Sequence, residues 1–217
     1  MKVCTDACIL GAWFARKVPN YATILDIGAG TGLQMLMLAQ QTKARIHGIE
    51  IDLDAFRQLK DNVDHSPWKS SITIFPGDVR RYQFPHSYDF IISNPPFFEG
   101  DLVSGNAGKD AAKHSTTLSL QQLLETIDQW LSDSGSFGLL LPFHRLQEVK
   151  EIAVPLGFHL HETLLVQQTT THNWFRAIVQ FSRTPDPSPT EHTLSIKVDG
   201  DYTPEFRELL KDYYLAF

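Results

Sequence analysis

Asn94-Pro95-Pro96-Phe97 holds the residue types in this sequence best suited to chemistry. The apolar run before it, 88–93, reads as a short buried strand. Proline lacks the N–H that continues a sheet ladder, so Asn94 stands where a strand ends and the backbone turns. An amide, rigid carbonyls and a flat ring then face one point. The Asn94 side-chain oxygen and the Pro95 carbonyl can each accept one hydrogen of a planar –NH2 group, and Phe97 can stack on the plane that carries it. Taken alone, the same residues suit a plain Pro-Pro turn with phenylalanines in the core. What precedes them shifts the balance.

Residues 23–27 form an apolar strand pattern, Gly28-Ala29-Gly30-Thr31-Gly32 follows, and 33–41 reads as a helix rich in Leu and Met. A dinucleotide fingerprint wants G-x-G-x-x-G, but here the third glycine comes one residue early and Leu33 takes its place. A P-loop wants Gly-Lys-Ser/Thr, which is absent. What remains is D-x-G-x-G-x-G, the S-adenosylmethionine pattern. Gly28, Gly30 and Gly32 let the backbone approach a methionine and ribose moiety. Asp26 can take a charge-assisted hydrogen bond from the ligand's amino group. A glycine turn that serves packing alone is the weaker reading.

Strand 45–49 ends in Glu50, which is placed to hold ribose hydroxyls. Asp52 reads instead as the cap of a helix over 53–65. Strand 72–75 leads into Gly77-Asp78-Val79, where Asp78 can accept from an exocyclic adenine amine with Val79 beside it. Three carboxylates, each close to a strand's C-terminal end, trace one ligand along the edge where open α/β sheets bind.

The totals bound the class. The chain has 217 residues, 42% of them hydrophobic, which suits one large soluble α/β domain. No apolar run is long enough to span a membrane, and Met1-Lys2 leads straight into mixed sequence, unlike a secretory leader. Cys4 and Cys8 are the only cysteines, too few for a metal site, and a reducing, cytoplasmic setting is expected. The net charge of −6 argues against a broad nucleic-acid surface, so any RNA contact is a local patch.

The other elements follow from the same rules. A helix begins near Thr5, with Thr5 or Asp6 as its cap. The stretch 98–117 is long and polar and holds Lys109, Lys113 and His114, which suit phosphates and equally suit a solvated loop. Helices are expected at 118–131, 144–154 and 204–217, and strands at 135–141, 159–167, 175–182 and 193–198. Arg183 to Thr190, with three prolines, reads as a linker. His159 and His161 share a strand face, but two imidazoles do not make a metal site, so no metal is expected. The fold class is α/β, a doubly wound, mostly parallel sheet with an antiparallel last strand. Residues 1–182 form the main domain, and 183–217 add a linker, strand and helix packed on it.

These residues carry a resemblance. Asp26-Ile27-Gly28-Ala29-Gly30-Thr31-Gly32, Glu50, Gly77-Asp78 and Asn94-Pro95-Pro96-Phe97 resemble the motif series of class I, Rossmann-like amino-methyltransferases. Their N-P-P-F/Y motif marks methylation of a nitrogen conjugated to a carbonyl or an aromatic ring. Met1-Lys2-Val3-Cys4-Thr5-Asp6 through Leu10-Gly11-Ala12-Trp13 is similar to a stretch of the tRNA1(Val) adenine-37 N6-methyltransferase family. So are 62–68 and the end of the chain from Asp199 through Leu215. Members usually carry further residues before the M-K-V stretch, including basic and aromatic ones, so either the start of this chain is misassigned or that segment is missing.

The resemblance implies a cofactor, S-adenosyl-L-methionine, leaving as S-adenosyl-L-homocysteine. It implies a partner, the anticodon loop of valine tRNA, and no membrane. The sequence does not fix the oligomeric state; a monomer is expected. Asn94, Pro95, Pro96 and Phe97 would be catalytic, with Phe98 helping to stack the flipped base. Thr5 and Asp6 would close the methionine side of the pocket by family position. Arg80, Arg81, Lys109, Lys113 and Arg176 are candidates for a basic rim. The alternatives are methylation of a guanine N2 or a protein glutamine N5, or a non-catalytic RNA-binding module.

Overall fold

A parallel strand covered by helices on both faces needs an apolar residue at nearly every position. All five residues of β1 (Thr23–Ile27) are buried, as is every residue of β4 (Tyr88–Ser93) except Asp89. The computed structural model describes residues 4–96 and 118–215. The remaining strands are β2 (Arg45–Glu50), β3 (Ile72–Pro76), β5 (Leu131–Pro142), β6 (His159–Thr169), β7 (Arg176–Ser182), β8 (Thr190–Val198) and β9 (Asp201–Tyr202). They form one sheet in the order β3-β2-β1-β4-β5-β7-β6-β8-β9. β1 to β5 are parallel. β7 runs against both β5 and β6, β8 is parallel to β6, and β9 turns back on β8. The expected mostly parallel sheet is observed. The strand after the proline linker joins it rather than standing apart.

The helices are α1 (Thr5–Ala15), α2 (Leu33–Gln41), α3 (Leu53–Asp64), α4 (Leu120–Trp130), α5 (Leu146–Ala153) and α6 (Pro204–Leu210). Neighbouring residues of β1 enter opposite cores: Ile24 belongs to the one that includes residues of α1, α2, α3 and α6, Leu25 to the one that includes residues of α4 and α5. No helix of the described residues is long and apolar enough to cross a membrane.

Several ends form as the sequence rules require. Asp52 caps α3, its Oδ1 accepting from the Ala55 N–H at 2.8 Å. Ser119 and Gln122 make a reciprocal capping box at the start of α4. The linker is tied down by His161, whose Nε2 lies 2.8 Å from Ser182 Oγ and 2.9 Å from the Thr184 carbonyl oxygen.

Other ends differ. Cys4, not Thr5 or Asp6, stands at the N-cap of α1, and its side chain makes no cap bond. β5 begins at Leu131 rather than at 135. The last helix stops at Leu210 because the N–H groups of Tyr213 and Tyr214 both return to the Leu210 carbonyl, at 2.9 and 3.0 Å. That turn lets the Tyr213 hydroxyl donate to the Met37 carbonyl at 3.2 Å. Together with fully buried Phe206, it docks the C-terminal segment on the α1–α2 face, as its aromatics suggest.

α1 is buried on nearly every side, so its seat on the sheet is tight. Gly138, in mid-β5, makes that seat: a Cβ there would strike the ring of fully buried Phe14. Gly138→Ala should therefore destabilise the fold by about 1–3 kcal/mol through overpacking. Urea unfolding should show a lower midpoint with an unchanged slope.

Candidate active site

Parallel pairing brings four strand ends level. Ile27 pairs with Ile49 on one side and with Ser93 on the other, and Glu50 pairs with Pro76. Ser93 Oγ donates to the Ile27 carbonyl at 2.7 Å, fixing the end of β4 to the end of β1. The chain then leaves β4 as Asn94 and Pro95, both partly exposed, and exposed Pro96. Phe97, Phe98, Lys109, Lys113 and His114 lie outside the described residues.

The glycine loop is built on the end of β2. The N–H groups of Gly28 and Ala29 both donate to the Ile49 carbonyl, at 3.0 and 3.1 Å. The Gly30 N–H donates to Glu50 Oε2 at 2.7 Å, and the Asp52 N–H to Glu50 Oε1 at 2.8 Å. Each Glu50 oxygen thus accepts one backbone donor and keeps a lone pair for another. Gly32, in the left-handed region at φ 82°, opens α2. Asn62, from α3, donates to the Thr31 carbonyl at 2.9 Å and pins the loop from above.

Asp26 is the unusual group. It is 1% exposed, and its Oδ2 has no hydrogen-bond partner. Burial first, and then the negative charge of Glu50, push its carboxyl up to about 8. Beside it, at Gly28, a Cβ would point into open space with nothing within 4 Å. A buried acceptor and an open cradle stand together at one strand end.

The other expected carboxylates are engaged. Arg80 grips Asp78 through Nε, at 2.9 and 3.0 Å, and through Nη2, at 2.6 Å. That grip, against the opposing effect of partial burial, holds the Asp78 carboxyl below its ordinary value. Val79 is buried beneath it in the core shared with α4. Asp6 Oδ2 accepts from Arg176 Nε at 2.7 Å, and Oδ1 from the Ala7 N–H at 3.0 Å. Burial works to raise the Asp6 carboxyl, but the Cys4 thiol and the Arg176 guanidinium outweigh it and hold it low. Thr5 is exposed and hydrogen-bonds with Tyr214 from the C-terminal segment. Gln34 Nε2 donates to the Ala7 carbonyl at 3.2 Å, joining α1 to the first turn of α2. No cluster of metal-binding side chains occurs among the described residues.

This arrangement has relatives. The family model for the methyltransferase small domain matches residues 10–135. A protein from Dyadobacter fermentans named tRNA1(Val) (adenine(37)-N6)-methyltransferase is 40% identical over 226 residues, covering 100% of this chain and 92% of its own length. One of the same name from Photorhabdus laumondii is 34% identical, covering 100% of this chain and 90% of its own length. The chain belongs to the tRNA1(Val) (adenine(37)-N6)-methyltransferase family. A solved structure of a predicted O-methyltransferase, protein Atu636 from Agrobacterium tumefaciens, superposes with a TM-score of 0.75 at 16% identity, over 95% of this chain and 96% of that one. It shares the class I methyltransferase fold.

The residues fit S-adenosylmethionine in this family member. A cationic amino group is the partner that unsatisfied Asp26 lacks, Glu50 has lone pairs free for hydroxyls, and the Gly28 cradle is open. The basic residues are where reading by sequence falls short. Arg80 and Arg176 suit an RNA-facing rim by sequence, yet each is paired to a carboxylate expected to meet the cofactor. The Arg80 pairing has a local signal, a carboxylate two residues away. The Arg176 pairing spans 170 positions and has none. Asn62 is legible only as part of a resemblance; its work on the loop is not.

Asp26 gives a pH test. In the folded protein it keeps its proton up to about pH 8, whereas its ordinary value is 3.8. Between those limits the folded state binds more protons than the unfolded state, so this group makes stability fall as pH rises, and the loss levels off above the upper limit. Asp26→Asn removes that slope. Urea unfolding at a series of pH values should show the variant gaining on the parent across this window and by a constant margin beyond it.

Proposed function

We propose that this protein transfers the methyl group of S-adenosyl-L-methionine to the exocyclic N6 of adenosine 37 in the anticodon loop of tRNA1(Val), leaving S-adenosyl-L-homocysteine. The observation that carries this reading is full-length similarity to relatives of that name, on a chain whose β4 end delivers Asn94-Pro95-Pro96 to the ligand edge. A tRNA substrate puts the work in the cytoplasm.

Bound S-adenosyl-L-methionine supplies the methyl group on a sulfonium, a ready electrophile. The chain supplies position and hydrogen bonds. Asp26 ionises beside the cofactor's ammonium, its proton leaving to solvent, and its carboxylate then pairs with that charge, while Glu50 uses its remaining lone pairs on the ribose. Asp78 offers an acceptor to the adenine amine only as far as Arg80 shares it. Thr5 borders the methionine side. Asp6 acts there through Arg176, which its carboxylate holds. Gly28, Gly30 and Gly32 keep the backbone close, and Val79 supports Asp78 from below.

At the reacting nitrogen, Asn94 Oδ1 and the Pro95 carbonyl accept the two amine hydrogens. That draws the lone pair out of conjugation with the ring and localises it on the nitrogen, toward the incoming methyl group. Pro96 fixes the turn. Phe97 and Phe98 are assigned by family position to stack on the base, with Lys109, Lys113 and His114 toward phosphates. A base in a loop is already unpaired, so extruding it costs only part of the few kcal/mol of unstacking.

The experiment is methyl transfer from labelled S-adenosyl-L-methionine to unmodified valine tRNA, with the nucleosides identified by mass. N6-methyladenosine at position 37 is the expected product. A methylated guanosine, or label in protein alone, would overturn the substrate assignment. Asn94→Ala should lower turnover on the order of 100-fold by losing position at the nitrogen. Its cofactor affinity, read by calorimetry, should hold; near-normal turnover would remove Asn94 from the reaction.

A further inference from the structure

β5 continues three residues past the Ser93–Leu139 pair to Pro142, which pairs with Arg176 at the start of β7. Phe143 and His144 after β5, and the β6–β7 turn over 170–175, therefore emerge at the edge that carries Asn94. The two segments are stitched together. The Phe143 N–H donates to the Phe175 carbonyl at 3.1 Å, and the Phe175 N–H to the Val166 carbonyl at 3.0 Å. The turn is also braced internally. The His172 N–H donates to the Thr169 carbonyl at 3.1 Å, and Thr169 Oγ1 lies 2.6 Å from His172 Nδ1. Behind it, Arg176 lies 5.2 Å from the Phe175 ring centre and pairs with Asp6, which anchors the turn to α1.

This rigid corner leaves apolar surface in water. Among the described residues, the aromatic rings that stand out as exposed are Tyr21, at 71%, and Phe143, at 37%. Tyr21 precedes β1, at the opposite edge of the sheet. Phe143 stands at the reaction edge, followed by exposed His144, and the neighbouring turn carries half-buried Trp174 and exposed His172. Flat rings interleaved with imidazole donors suit single-stranded nucleic acid, where each stacked base contributes whatever its sequence. Net charge points the same way. A chain at −6 gains little from a broad field on a polyanion, so affinity must come from local contacts.

We propose that Phe143 and Trp174 form a stacking platform for the nucleotides that flank the methylated base, with His144 and His172 donating to the phosphates between them. The platform rests on the RNA substrate proposed above. Because it is framed by backbone hydrogen bonds, it holds its shape before the loop arrives and loses little entropy on binding.

The test compares the full chain with Phe143→Ala, Trp174→Ala and the double variant. An anticodon stem-loop RNA is used for affinity, and unmodified valine tRNA for kinetics. Each ring removed should weaken stem-loop binding roughly 5- to 150-fold and raise KM for tRNA alike. Affinity for S-adenosyl-L-methionine should not move. The slope of log affinity against log salt should stay constant, because a lost stack releases no counterions. Phe143→Tyr and Trp174→Phe should recover most of the loss. If the parent methylates tRNA and the double variant binds the stem-loop as tightly as the parent, the platform alone is overturned. It is overturned equally if the variants lose kcat with stem-loop affinity intact. If the parent neither binds nor methylates RNA, the proposed function falls and the platform with it. Should Trp174→Ala fail to fold, Phe143→Ala carries the test.

Discussion

A carboxyl oxygen sealed inside a protein without a partner costs free energy, and this fold holds one near the end of β1. Asp26 lies one residue before the end of β1, between Gly48 and Ile92 on the flanking parallel strands. Two cores, one on each face, hold it there. Glu50 is its counterpart and its contrast. Both Glu50 oxygens accept backbone N–H groups, so that carboxylate builds the loop, while Asp26 Oδ2 is left without a donor. A protein tolerates such a mismatch where function uses it. The level strand ends and the tie from Ser93 to Ile27 are what bring the mismatch and Asn94 to one place.

The first turn of α1 is held by distant parts of the chain. α1 begins beside the glycine-loop helix, yet little in its own sequence fixes its first turn, since Cys4 gives no side-chain cap. Arg176 from β7 holds Asp6, Tyr214 from the C-terminus bonds with Thr5, and Gln34 from α2 holds the Ala7 carbonyl. The strands that extend the sheet beyond β5 therefore do more than widen it. They deliver the guanidinium and the aromatic tail that set where the N-terminal helix sits.

Local rules make much of this legible. Buried parallel strands betray themselves as continuous apolar runs, and Asp52 before an amphipathic run is a cap wherever it occurs. The carboxylates at strand ends can be ordered along one edge because parallel topology leaves few choices. What stays hidden depends on pairing across the chain. Nothing near Asp6 announces Arg176, and nothing in the C-terminal aromatics announces that the helix must stop at Leu210 for Tyr213 to reach Met37. The ion pairs also change the meaning of residues that stand out in the sequence: Arg80 and Arg176, which read there as candidates for a basic rim, pair with acids in the fold.

Charge also limits what can stand at position 94. Asp26 and Glu50 already place two carboxyl groups at adjoining strand ends, on a chain of net charge −6. A third carboxylate at the end of β4 would drive the group toward shared protons rather than toward ligands. An amide accepts the same hydrogen bonds and adds no charge. For the proposed reaction that is sufficient. The amine nitrogen needs its hydrogens held, not removed, because methyl transfer makes it cationic and its proton then leaves for water. The same acidity bears on the RNA. For the proposed substrate, with little to gain from counterion release, shape carries the binding, and the proposed stacking platform supplies shape without charge.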